Sequence, residues 1–259
     1  MTKLALALFF LFLPCLFTAS YATEQIPSSL ISVTSLPGVF LLKKDLNENT
    51  VKLLSHFTTQ KTNTYCGVAS IVMVLNSTDL LPPKDALHPP FKYFTQDNFF
   101  NDSVKKIIAP EEVSQKGISL SKLQKIIESY DLKTELYFAD QLTLVKFRQL
   151  LRSAIRDGHF IIVNFLRTAL HQEGGGHHSP IAAYDANTDR FLILDVARYK
   201  YPAYWVKTED LWKAASTLDE NHSRGFVVVR SIIQQHLPHF GKTAKSNVAP
   251  MNKGASALK

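Results

Sequence analysis

The sequence predicts an α+β fold, in which a helical N-terminal part packs on one side of a C-terminal antiparallel sheet. Three observations carry this. Before residue 158, apolar residues recur at helical spacing in three segments. After Gly158 the texture changes to short β-branched or aromatic runs bounded by turn residues. Helices come first and strands later, an order that favours segregated layers over alternating βαβ units. No repeat or long linker interrupts the body, so one domain over residues 23–240 is expected.

Residues 1–22, MTKLALALFFLFLPCLFTASYA, open with Lys3, continue through an unbroken apolar run and end on the small-x-small pattern Ser20-Tyr21-Ala22. That is the plan of a secretory signal peptide, and the run is short for a membrane span of ~20 residues. Cleavage after Ala22 would leave 237 of the 259 residues, enough to bury a substantial core, in the periplasm or outside the cell. Cys15 departs with the signal, so Cys66 is the one thiol that stays. A lone thiol in an oxidising compartment is either inert and buried or reactive.

Val68, Ile71, Val72 and Leu75 fall at i, i+3, i+4 and i+7, one apolar stripe of a helix that begins beside Cys66 and ends at Asn76-Ser77. SLSKLQKIIESYD, from Ser119, repeats the pattern with Leu120, Leu123 and Ile127. TLVKFRQLLRSAIRDG has Thr143 as its N-cap and Gly158 as its stop, and Thr208 with Glu209 and Asp210 starts TEDLWKAAS. HFIIVNFL, SPIAAYD, RFLILDVA and GFVVVRSII read as half- or fully buried strands. From Gly241 to Lys259 the chain carries four lysines, no acid and no apolar periodicity, which reads as a disordered basic tail. Without that tail and Lys3 the net charge of +7 falls to about +2, too little to argue for a nucleic-acid surface.

SPIAAYD and RFLILDVA are joined by DANTD, residues 185–189. If Tyr184 pairs with Arg190 across this turn, Asp195 faces Ser179, and His177 lies two places along on the same face while His178 points to the other. Diagonal neighbours are ~7–8 Å apart, a gap that His and Asp side chains bridge. A cysteine at a helix N-terminus sits beside unpaired N–H groups and the positive end of the dipole, both of which favour the thiolate. Cys66, His177 and Asp195 therefore supply the nucleophile, the proton carrier and the group that orients the carrier. Each also has a plainer reading, since free cysteine is commonly buried, the chain has nine histidines, and an aspartate can simply end a strand.

QKTNTYCGVASIVMVLN, NFLRTALHQEGGGHHSPIAAYD and LILDVARYKYPAYWV resemble the nucleophile, histidine and aspartate segments of the phytochelatin synthase family, papain-like cysteine transpeptidases that act on glutathione. The resemblance extends over most of residues 55–230. It implies a papain-like cysteine proteinase fold and cleavage of the Cys–Gly bond of glutathione. Cys66 would be the acylated nucleophile, His177 the general base and acid, Asp195 its partner, and Gln60 an oxyanion donor beside the Cys66 N–H. It also implies that Asp219 and Arg224, spaced two residues closer than in the family, hold the γ-glutamyl end, with Arg198 and Tyr201 matching further substrate-binding positions. Transfer of the γ-glutamylcysteinyl group to a second glutathione makes a phytochelatin, the chemistry of heavy-metal detoxification; transfer to water makes the enzyme a hydrolase.

The resemblance implies no cofactor bound by the protein, although cadmium or zinc can enter as glutathione thiolates. Soft-metal sensing by the chain itself is not expected, because the C-terminal tail carries no cysteine. The expected partners are glutathione and a second copy in a homodimer, with no nucleic acid and no membrane after signal cleavage. Two other classes stay open. One is a papain-like peptidase acting on ordinary peptides. The other is a non-enzymatic metal binder using His171, His177 and His178, which lack a closed tetrahedral ligand set.

Overall fold

The computed structural model describes residues 26–230. The signal segment 1–22 and the basic tail 241–259 lie outside the described residues. In chain order the elements are β1 (Ile31–Ser32), α1 (Leu36–Asp45), α2 (Glu48–Ser55), α3 (Cys66–Ser77), α4 (Asp102–Lys105), α5 (Pro110–Lys116), α6 (Leu120–Glu128), β2 (Thr134–Phe138), α7 (Leu144–Arg156), β3 (Phe160–Leu166), β4 (Gly176–Asp185), β5 (Arg190–Ile193), β6 (Tyr204–Lys207), α8 (Thr208–Ala215), β7 (Leu218–Asp219), β8 (His222–Ser223) and β9 (Gly225–Val229). Seven strands form one antiparallel sheet in the order β1-β6-β5-β4-β3-β9-β2, and β7 and β8 form a separate two-stranded ribbon. The architecture is α+β, as expected.

The layering differs from the expectation of helices on one side. Ile162, Leu192, Trp205 and Val227 face α1, α2, α3, α5 and α6. Ile161, Val163, Ile193, Tyr204 and Phe226 face α7 and α8 on the opposite side, against Phe147, Leu151, Leu211 and Ala214. The reason is in the strands: FIIVNFL and GFVVV are apolar at nearly every position, so both their faces need cover. Helix α3 is likewise buried all round, Asn76 excepted, instead of along one stripe. Thr143 caps α7 by accepting the Lys146 N–H at 3.2 Å, and Gly158 stops the chain there with φ +72°.

The β4–β5 hairpin corrects one register. Across the turn Arg190 pairs with Asp185, not Tyr184, and the pairing runs regularly to Ala183↔Leu192. A bulge then skips Ala182, so that Ile181 pairs with Ile193. The extra residue restores the parity on which the His177–Asp195 argument rests. Its carbonyl accepts the buried Thr50 hydroxyl of α2 at 2.7 Å.

At the turn end of this hairpin, Asp185 is fully buried and bonded to Lys44 Nζ at 2.5 Å and to the Thr188 N–H and hydroxyl. Asp45 lies against it, and burial together with the Asp185 carboxylate raises its pKa to about 6. A raised carboxyl pKa gives stability that is fully present below the unfolded value and lost as pH rises through the folded one. Asp45→Asn should therefore raise Tm by about 2 °C at pH 7.5 and leave it unchanged near pH 3, below the unfolded value. Equal shifts in melts at the two pH values would contradict the assignment.

Candidate active site

Helix α3 starts at Cys66 without a side-chain cap: its N-cap is Tyr65, at φ −90° and ψ 14°, and its side chain accepts none of the first-turn N–H groups. The Gly67 N–H turns to the Cys66 sulfur, and so does the N–H of His178 from β4. Ser70 ties helix to strand through its hydroxyl, which donates to the His178 carbonyl at 3.2 Å. A Cβ at Gly67 would come within 3.3 Å of Ile118 and 3.6 Å of the His178 ring, so glycine lets α3 settle this close to β4.

His177 and His178 pair with Phe165 and Asn164 of β3, respectively, and point to opposite faces. The His177 ring meets Phe165 edge-on, with centroids 5.6 Å apart. Its Nε2 bonds Asp195 Oδ1 at 2.9 Å, which leaves Nδ1 for the thiol. His178 is occupied elsewhere, with Nε2 donating to the Ile118 carbonyl at 2.8 Å. Its Nδ1 has no partner. Burial, the leading cause, pushes the His178 pKa down to about 4 and keeps that ring neutral.

Asp195 lies two residues beyond β5 and is fully buried. The sequence reading missed its second partner, Arg167, which donates Nη1 to Oδ2 at 2.9 Å and Nη2 to Oδ1 at 2.8 Å. The Ala197 N–H adds a further bond to Oδ1 at 2.9 Å. Arg167 is itself buried, donating to Gln172 at 2.8 Å and stacking 5.2 Å above the Tyr201 ring. The carboxylate is thus clamped between imidazole and guanidinium.

The electrostatics follow from these contacts. Burial opposes ionisation of the Cys66 thiol, but the His177 hydrogen bond and charge, then the His178 and Gly67 N–H groups, outweigh it and lower the thiol pKa. Burial likewise opposes charge on His177, yet Asp195 and Cys66 overcome both burial and Arg167 and raise its pKa. Asp195 is held well below the carboxylate range by His177 and Arg167 against the pull of burial. All three shifts favour a thiolate–imidazolium pair over the neutral pair.

The remaining predicted residues fall into two groups. Gln60 is buried beside the cysteine segment, fixed by its N–H to the Val196 carbonyl at 2.8 Å. Its Nε2 already donates to Thr62 O at 2.8 Å and to the Tyr199 hydroxyl at 3.1 Å, while Oε1 is unpartnered. Donation to a substrate oxyanion thus requires Nε2 to exchange Tyr199 for it. Asp219 and Arg224 pair at 3.2 Å across the β7–β8 ribbon. The guanidinium lies against Gly176, next to His177, and Asn164 Nδ2 donates to Asp219 at 3.1 Å. Asn164 was not anticipated, although a polar residue inside FIIVNFL was the available signal.

Arg198 and Tyr201 lie apart from this cluster. Arg198 donates to the Phe57 carbonyl at 3.2 Å and sits 4.7 Å over the Phe57 ring. Tyr201 is buried beneath Arg167, and its hydroxyl accepts the Glu173 N–H at 2.8 Å. Among the described residues, no group of three or more His, Cys, Asp or Glu is arranged to hold a metal ion.

Comparison with known proteins agrees with the family resemblance. The phytochelatin synthase family model matches residues 21–226. Glutathione gamma-glutamylcysteinyltransferase 2 of Arabidopsis thaliana is 33% identical over 219 residues, 82% of this chain and 47% of that protein. Glutathione gamma-glutamylcysteinyltransferase 1 of Lotus japonicus is 34% identical over 186 residues, 70% of this chain and 36% of that protein. The enzyme of Schizosaccharomyces pombe is 25% identical over 226 residues, 85% and 52% of the two chains. The chain spans about half the length of the curated relatives it matches. With Cys66, His177 and Asp195 convergent inside the matched segment, the chain belongs to the phytochelatin synthase family.

Proposed function

We propose that this protein is a papain-like, cysteine-dependent acyltransferase that cleaves the Cys–Gly bond of glutathione and passes the γ-glutamylcysteinyl group to a second glutathione or to water. The observation that carries the reading is a cysteine at an uncapped helix N-terminus in direct interaction with a buried imidazole, itself bonded to Asp195 at 2.9 Å. The relatives are glutathione gamma-glutamylcysteinyltransferases by name, and glutathione is the substrate taken from them.

In this reading the Cys66 thiolate attacks the carbonyl carbon of the glutathione cysteine residue, and the electron pair moves to oxygen. The Cys66 N–H and, once released from Tyr199, Gln60 Nε2 stabilise that oxyanion. Protonated His177 gives its proton to the glycine nitrogen as the C–N bond breaks, leaving a thioester on Cys66. The imidazole, neutral again, then takes a proton from an incoming amine or water; the acyl group transfers and the thiolate returns. Asp195 fixes which ring nitrogen carries the proton throughout. The paired Asp219 and Arg224 beside Gly176 offer opposite charges to the amine and carboxylate of the γ-glutamyl end. Residues 23–240 form the catalytic domain and residues 1–22 direct export. Metal ions enter, if at all, as substrate thiolates.

Incubation with glutathione, followed by mass spectrometry of intact protein and small molecules, tests this. A γ-glutamylcysteinyl increment on the chain with release of glycine is expected. Absence of both with glutathione, combined with cleavage of a neutral peptide, would favour an ordinary peptidase. Glycine release with no longer peptide would select water as the acceptor. Gln60→Ala should lower kcat by about 10²- to 10³-fold with little change in KM, the signature of a donor that acts mainly in the transition state. A rise in KM alone would move Gln60 out of the oxyanion role.

A further inference from the structure

The segment joining α3 to α4, residues 79–94, takes no part in the chemistry above. It folds back as a short antiparallel protrusion, with Lys84 and Lys92 forming an isolated bridge. The Asp85 N–H donates to Phe91 O at 3.0 Å, the Phe91 N–H to His88 O at 2.9 Å and the Tyr93 N–H to Pro83 O at 3.1 Å. Asp85 is buried and organises the tip, accepting from the Leu87 N–H at 2.9 Å and bonding His88 Nδ1 at 2.6 Å. Pro82, Pro83, Pro89 and Pro90 have no N–H to satisfy. Much of the backbone polarity of the protrusion is therefore met internally or absent, which is what entry into an apolar layer requires.

On this frame Leu81, Leu87 and Phe91 expose 86%, 75% and 71% of their surfaces. Water penalises such side chains, and several on one loop mark a contact surface. Lys84 and Lys92 stand opposite each other across the bridge and are both exposed, so the segment presents two cations to an anionic surface. The carboxylates of the segment do not neutralise the pair at the tip: Asp85 is buried on His88, and Asp79 is at the base of the loop beside the end of α3. Apolar tips flanked by lysines match the boundary between headgroups and acyl chains, where lysine stems lie along hydrocarbon and the ammonium reaches phosphate. No described helix is long and apolar enough to cross a membrane; adsorption through this segment departs from the expectation, drawn from the sequence, of no membrane partner after signal cleavage.

We propose that residues 79–94 dock the protein on an anionic lipid bilayer, with Leu87 and Phe91 at the tip entering the interface and Lys84 and Lys92 meeting phosphate headgroups. The protrusion leaves α3 at the end opposite Cys66. The test is co-sedimentation of the full chain with phosphatidylcholine vesicles, with and without about 30% phosphatidylglycerol, at low and moderate salt. Wild type should bind the mixed vesicles at least about tenfold more tightly than the neutral ones. The double variant Leu87→Ser/Phe91→Ser, and separately Lys84→Gln/Lys92→Gln, should each lose about tenfold while keeping the wild-type melting temperature. Leu87→Trp should show a blue-shifted emission component only with the mixed vesicles. Equal partition of wild type and both double variants would assign any lipid affinity to the terminal segments and overturn the proposal. Absence of binding to either vesicle would also overturn it, as would a change in oligomeric mass of the apolar variant with no change in partition, which would make a second copy the occupant.

Discussion

Cys66→Ser should reduce glycine release from glutathione by at least about 10⁴-fold and abolish the acyl increment on the intact chain. The change exchanges sulfur for oxygen and loses no atom, so the fold around α3 should survive and the loss should be chemical. A serine hydroxyl does not reach its alkoxide near neutral pH, whereas the surroundings of this site lower the pKa of the Cys66 thiol and so favour its anion. Alkylation by iodoacetamide gives a second readout on the wild type. Because the thiol pKa is lowered and the His177 pKa raised, labelling should stay fast well below the ordinary thiol pKa of ~8.5. It should fall only on the acid side, as the pair takes up a proton. A labelling curve centred at or above the ordinary value would mean that Cys66 is an inert buried thiol.

Asp195→Asn should carry the next largest effect, on two observables at once. Arg167 Nη2 and the Ala197 N–H hold the amide oxygen toward His177 Nε2, so the substitution removes the negative charge that keeps the imidazolium beside the thiolate and returns the pair to its neutral form. Loss of about 10⁴-fold in kcat is expected on that account. Arg167 would meanwhile lose the carboxylate that both of its terminal nitrogens reach and remain as an uncompensated buried charge, a loss of about 3–5 kcal/mol. Arg167→Met separates the two contributions. It should lower stability while keeping the Asp195–His177 bond and therefore most of kcat; equal kcat losses in the two variants would place the guanidinium, not the carboxylate, at the centre of the chemistry.

The sequence was most informative where periodicity and chemistry agreed. The apolar recurrence after Cys66 located the helix that this cysteine heads, and counting by twos along the hairpin picked His177 over His178 as the partner of Asp195. That count began from a pair the structure does not contain, and the skipped Ala182 repaired it; no residue at 181–183 announces a bulge. The second helical layer could have been inferred from FIIVNFL and GFVVV, whose unbroken apolarity leaves no face for water. Arg167 was not legible, because an arginine that follows a strand reads as solvated until a buried acid 28 positions later is seen to meet it. The engagement of Gln60 with Tyr199 is hidden for the same reason: the partners are 139 residues apart.

The skipped residue in β4 also bears on how this hairpin tolerates change. One end of the strand answers to the turn and the carboxyl pair beneath it, the other to Cys66. Between them Ala182 supplies a place where slack is taken up, so a turn lengthened or shortened by one position can be absorbed before it reaches the imidazole, and the loop is free to drift while the chemistry keeps its alignment.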